Sequence, residues 1–158
     1  MPGPVAPIAI ATPPAAGQVV NIVLTSDVGA FSIGDLFSVA VTVNAGPGKT
    51  VDAAQVYLDF DATVLQVVKL TASSSLGEEL QSSHDNTLGQ INYAAGTLGA
   101  PITSPFQLLV VRFRAVTQTG SSGTTIRFAS LVNPRQTKVV TAGINNTGSL
   151  AAVNLIIE

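Results

Sequence analysis

Apolar and polar residues alternate with a period of two along most of the chain, and the cleanest case is residues 36–44, LFSVAVTVN. Phe37, Val39, Val41 and Val43 fall on one side there, and Ser38, Ala40, Thr42 and Asn44 on the other. Such a period is that of a strand with one face on a core. Residues 19–25, VVNIVLT, form a shorter β-branched run that Asp27-Val28-Gly29 breaks, and Gly46-Pro47-Gly48 ends the run that follows. Along residues 53–60 the apolar Val56, Leu58 and Phe60 point inward, so Ala53, Gln55, Tyr57 and Asp59 point outward. Further strands are expected over residues 64–70, 90–95, 106–116, 124–129, 138–141 and 150–157. Turn residues separate them, and no segment has a convincing helical period. The pattern predicts an all-β chain: about nine strands in two packed antiparallel sheets, a β-sandwich.

Two segments need separate treatment. Residues 71–89, TASSSLGEELQSSHDNTLG, are polar and longer than an ordinary connection. The expectation is an ordered loop with one helical turn around Leu76, Glu78, Glu79 and Leu80, with Leu76 or Leu80 packed on the sandwich and residues 82–86 at an exposed tip. In residues 106–116, Leu109, Val111, Phe113 and Ala115 are assigned to the core, which leaves Leu108, Val110, Arg112 and Arg114 facing out. Two aliphatics beside two arginines, taken together with Ala53, Gln55 and Tyr57, predict a flat, partly apolar sheet surface of the kind that binds proteins. The alternative is that residues 71–89 or the N-terminal segment cover this face.

Composition narrows the partners. The 158 residues suffice for one domain, here residues 19–158, and only 10% of them are charged, with a net charge of −2. The few cations are dispersed, so no basic stripe exists for a phosphate backbone, and nucleic acid is not an expected partner. No apolar run reaches the roughly 18 residues of a membrane helix, so no membrane insertion is expected. Residues 1–18 carry no Lys or Arg and hold Pro2, Pro4, Pro7, Pro13 and Pro14. They read as an extended Pro/Ala-rich linker or a tail rather than a signal peptide. Cysteine is absent, which removes disulfides and thiolate chemistry without fixing the compartment. A weakly charged β-domain behind such a leader fits an extracellular or cell-surface modular protein.

Reactive groups are scarce. The single histidine, His84, sits in the polar segment with no second imidazole for a metal site, and Ser82 and Ser83 beside it give no sign of an ordered triad. No metal, cofactor or catalytic residue is assigned. Asp59 and Asp61 lie on one strand face about 7 Å apart, a spacing that admits a shared cation or an acid–base pair. Asp61 also opens a turn, Asp61-Ala62-Thr63, where a short carboxylate caps backbone amides, and that structural use is preferred. Carbohydrate binding, as in many sandwich modules, needs exposed aromatic platforms, and the chain has no Trp, two Tyr and six Phe. Phe37, Phe60, Phe113, Phe128 and Tyr93 all fall on core faces, which leaves only Tyr57 outside. Weak glycan binding stays open as an alternative, as does a spacer or adhesion domain.

The order of landmarks resembles the cohesin family. They are Ile33-Gly34-Asp35 before a valine-alternating strand, then Val56-Tyr57-Leu58-Asp59-Phe60-Asp61, Val64-Leu65-Gln66-Val67-Val68, and Gly89-Gln90-Ile91-Asn92-Tyr93-Ala94-Ala95. LLVVRFRAV, GTTIRFAS and Gly148-Ser149-Leu150 leading into AAVNLIIE follow, so the match runs over residues 19–158. The resemblance implies a nine-stranded jelly roll that is not an enzyme and binds a dockerin, a small calcium-loaded helical module on another polypeptide. Calcium would belong to that partner, and this chain would need no cofactor. It further implies that the partner docks on the sheet face holding Ala53, Gln55, Tyr57 and Asp59, helped by neighbouring loops. Cellulosomal cohesins commonly carry an asparagine and an aspartate where this chain has Ala53 and Gln55, and Asp-Pro where it has Asp61-Ala62.

Overall fold

The alternating segments do form strands. The computed structural model describes residues 19–46, 48–73, 75–129 and 135–158. In chain order the strands are β1 (Val20–Ser26), β2 (Ala30–Phe31), β3 (Leu36–Val43), β4 (Ala53–Asp59), β5 (Leu65–Ala72), β6 (Glu78–Asp85) and β7 (Gln90–Gly96). They continue as β8 (Phe106–Ala115), β9 (Thr124–Phe128), β10 (Lys138–Thr141), β11 (Ile144–Asn145), β12 (Thr147–Ala151) and β13 (Val153–Ile157). One sheet has the order β12-β1-β3-β8-β5, and the other runs β11-β10-β4-β9-β13-β2, with β7 beside β4 and β6 beside β7. No helix occurs among the described residues, none of which belongs to a helix long and apolar enough to cross a membrane. The linker expected over residues 1–18 lies outside the described residues.

The inward residues of both sheets make one core. Val39, Val41, Val43, Val111 and Phe113 from the first sheet meet Val56, Leu58, Ile91, Tyr93 and Ile126 from the second, and all are buried. At one end the aromatic rings chain together: Phe31 stacks on Phe37 at 4.1 Å between centroids, Phe37 on Phe113 at 5.6 Å, and Phe60 meets Phe113 edge-on at 5.4 Å. Phe128, assigned to the core with them, is half-buried against it.

Three expectations change. The C-terminal run expected as one strand is two, because the chain leaves the first sheet at Ala152. β12 pairs parallel with β1, whereas β13 pairs antiparallel with β9 and parallel with β2, so the pairing is not wholly antiparallel. Residues 71–89 are not a loop with a helical turn. Eight of them, Glu78–Asp85, form β6, which pairs with β7 from Glu78↔Gly96 to Asp85↔Gln90 as the first arm of a hairpin. Leu76 is buried beneath it while Leu80 is 71% exposed, so Leu76 alone packs inward. Of the tip expected to be exposed, residues 82–84 are exposed, whereas Asn86 is half-buried and fastened: its amide donates to the Val67 carbonyl at 3.0 Å and accepts from the Val67 N–H at 2.8 Å. That pair fills the backbone groups of β5 next to its bulge between Val67 and Lys69.

The third change concerns β8. Its register with β3 shifts between Val41↔Leu109 and Thr42↔Gln107, which leaves Leu108 as the extra residue of a bulge. Leu108 and Leu109 are therefore both buried, and Leu108 is a core residue rather than an outward one.

Candidate functional site

The outward positions of β4 form a ruled surface with their neighbours. Directly opposed residues in antiparallel strands share a face, so the registers of β10, β4, β7 and β6 define cross-strand rows. The first row is Val140, Ala53, Gly96 and Glu78, and the second is Lys138, Gln55, Ala94 and Gln81. Tyr57, Asn92 and Ser83 make the third, and Asp59, Gln90 and Asp85 the fourth. Ala53, Gln55, Tyr57 and Asp59 are each half-buried, as expected of side chains lying flat between neighbouring strands. β6 lies beside this face and widens it, so residues 71–89 do not cover it.

Backbone pairing explains why Tyr57 stands where it does. β10 pairs with β4 only over Ala53–Gln55 and β9 only at Leu58 and Asp59, which leaves Tyr57 at the gap between them. The buried Thr137 hydroxyl fills it, accepting from the Tyr57 N–H at 3.0 Å, while the Tyr57 carbonyl accepts from Ala129 N–H at 2.8 Å. A side chain substitutes for a missing strand partner.

Arg135 fixes the polar half. Its Nη1 lies 2.5 Å from Asp59 Oδ1, its Nε donates to Asn92 Oδ1 at 3.0 Å, and its Nη2 donates to the Leu58 carbonyl at 3.0 Å. The guanidinium sits 5.6 Å from the centre of the Tyr57 ring, a cation–π distance. Tyr57 Oη donates to Gln81 Oε1 at 3.3 Å, and Gln55 Nε2 to the Gln136 carbonyl at 2.7 Å. These polar groups are organised before any partner arrives.

The acidic turn is structural. Asp61 Oδ1 accepts from the Thr63 hydroxyl at 2.6 Å and from its N–H at 2.9 Å. The Thr63 hydroxyl first, then its amide, and to a smaller degree the charge of Arg127, hold the Asp61 carboxyl below the usual carboxylate range. Asp59 is committed to Arg135, so the two carboxylates do not act as a pair. His84 is exposed on β6, and no group of three or more potential metal ligands occurs among the described residues.

The site residues expected on residues 106–116 do not join this face. β8 belongs to the other sheet, so Val110, Arg112 and Arg114 look out on the opposite side of the sandwich, and Leu108 does not look out at all. Arg112 and Arg114 are exposed there and Val110 half-buried, with Lys69 of β5 directly opposite Arg112. In their place the face recruits Arg135, Lys138, Val140, Asn92, Ala94, Gly96, Leu80, Gln81 and Ser83, none of which was assigned to a binding face from sequence. The available signal was residues 86–89, Asn-Thr-Leu-Gly, directly before a strand: a hairpin turn that predicts a partner strand upstream.

Comparison with known proteins bears on this arrangement. Among solved structures, the fold is similar to a cohesin module from a Clostridium perfringens family 33 glycoside hydrolase, with a TM-score of 0.71 at 15% identity over 89% of this chain and 98% of that one. It is also similar to a Clostridium thermocellum chain from a type I cohesin–dockerin complex, with a TM-score of 0.71, 13% identity and coverage of 89% and 100%. A non-cellulosomal cohesin from the archaeon Archaeoglobus fulgidus matches with a TM-score of 0.69 at 14% identity, covering 89% of this chain and 92% of that one. No curated protein matches the sequence. The family model of the cohesin domain matches residues 20–150, from the first residue of β1 into β12. The chain belongs to the cohesin domain family.

Proposed function

We propose that this chain is a non-catalytic receptor module that binds a dockerin through the outer face of β10, β4, β7 and β6, and so anchors or assembles a complex outside the cell. The observation that carries this reading is the face itself. It is a broad ruled surface, half-buried at each β4 position, whose polar groups are already held by Arg135, Gln81 and Gln136. A pre-organised sheet surface loses little side-chain entropy on docking. Ala53, Gln55, Tyr57 and Asp59 are its β4 contacts, and Val110, Arg112 and Arg114 take no part because they face away. Family membership supports the reading, and a similar solved structure comes from a cohesin–dockerin complex. The commitment of Asp59 to Arg135 and of Asp61 to Thr63 supports the absence of catalysis. Calcium enters through the dockerin, not through this chain.

Titration calorimetry against the dockerin modules of the source organism, with and without chelator, tests this. Binding that chelation abolishes is expected with at least one of them, and Tyr57→Ala weakens it by about 1–2 kcal/mol with little change in thermal stability. No heat with any dockerin refutes the receptor reading.

A further inference from the structure

We infer that the partner anchors on this face by one aliphatic side chain, seated in a dimple under Leu80 and flanked by a basic partner group at Glu78 and an acidic one at Lys138. The inference rests on the dockerin reading and specifies what that partner presents. The dimple has a volume of about 70 Å³, and Ala53, Gln55, Leu80, Ala94, Lys138 and Val140 contribute to its lining. In the same measure a single water needs roughly 10–15 Å³, so it has room for the branched end of a leucine or isoleucine.

Three features of the sequence build it. Ala53 and Ala94 give the floor a minimum of side chain, and Gly96, beside Ala53 and Leu80 at its edge, has none. A Cβ at Gly96 would lie 3.6 Å from the Ala53 Cβ and 3.9 Å from Leu80 Cδ1, so the glycine keeps open a space between them. Leu80 forms the wall. The register of β6 slips between Glu79 and Gln81, and the extra residue, Leu80, turns onto the outer face and leaves 71% of its surface in water.

The rest of the face has little unmet demand. Gln55, Tyr57, Asn92 and Asp59 already have partners within the chain, so a ligand exchanging hydrogen bonds with them gains little. The apolar dimple and two charges are what stay unsatisfied. Glu78 and Lys138 have no oppositely charged group within 4.0 Å among the described residues, whose one ion pair is Arg135–Asp59. They stand on the outer strands β6 and β10, three strand spacings or about 14 Å apart. Opposite charges at the two sides of one apolar seat orient an approaching surface one way and reject its reverse.

The test uses the dockerin that binds most tightly in the calorimetric screen, titrated into the wild type and into Leu80→Ala, Gly96→Val, Glu78→Lys and Tyr57→Ala. Leu80→Ala is expected to weaken binding about tenfold and Gly96→Val, which fills the seat, by more. Glu78→Lys weakens it by a factor that shrinks as salt is raised. Melting temperatures identify any variant that loses affinity by unfolding. If Leu80→Ala and Gly96→Val bind within twofold of wild type while Tyr57→Ala does not, the dimple is not the anchor and the inference fails, although the receptor reading stands. Absence of binding by every dockerin overturns both.

Discussion

The residue that completes the backbone pairing at the centre of the candidate face is not on its surface. Thr137 is buried, and its hydroxyl accepts from the Tyr57 N–H at the gap where β10 ends and β9 begins along β4. Replacing it by valine keeps the shape and removes the acceptor, so the Tyr57 amide is left buried without a partner. Thr137→Val is expected to cost about 1–3 kcal/mol, measurable as a lowered urea midpoint with an unchanged slope. An unchanged midpoint means that water replaces the hydroxyl. Residue-scale features of this kind divide into legible and illegible ones. The Asp61 cap could be read from Asp61-Ala62-Thr63 because its partners are local in sequence. Thr137 and Arg135 could not, because their partners on β4 are some 80 and 76 residues away, at Tyr57 and Asp59. No local pattern encodes that distance.

Elements follow the same division. Strands with one buried face were legible, since a core imposes alternation on them, as in β3 and β4. β6 was not. Every residue from Glu78 to His84 is exposed, because an edge strand that overhangs the sandwich buries neither face and so carries no apolar period. β8 was read correctly from Leu109 to Ala115 and one step out of phase at Leu108, since four consecutive apolar residues, Leu108 to Val111, hide a bulge. The β7 side of the hairpin is held by the core, and its turn is fastened to the first sheet by one side chain, Asn86, whose amide takes both backbone groups of Val67. Asn86→Ala is expected to raise amide hydrogen exchange at Val67 and through the turn by tenfold or more, that is, by about 1.4 kcal/mol or more of local opening. Amides in the centre of β3 should keep their wild-type protection, since they report opening of the core. Uniform loss of protection in both places would mean that the hairpin is part of the core's cooperative unit.

At the scale of the whole molecule, the packing of two sheets decides which surfaces can act together. Residues of β4 and β8 look alike along the chain, with alternating apolar positions and polar outward ones. They nonetheless lie in different sheets, so their outward side chains point away from each other. Sheets pack about 10 Å apart, and the outward side chains on both sides add to that separation, which exceeds the Debye length of about 8 Å at physiological salt. A charge on the β8 side therefore contributes little to a contact on the β4 side. Locally it matters more, because Arg112 lies directly opposite Lys69 on the neighbouring strand, and like charges in that position repel. Arg112→Glu converts the repelling pair into an attracting one. It is expected to stabilise the fold by about 0.2–1 kcal/mol while leaving dockerin affinity within twofold of wild type. Both readings come from one purified variant, the first by chemical denaturation and the second by calorimetry. A variant that is more stable and binds normally places the working face on β4. One that binds tenfold less tightly at undiminished stability would return Arg112 to the interface, and with it the β8 side of the sandwich.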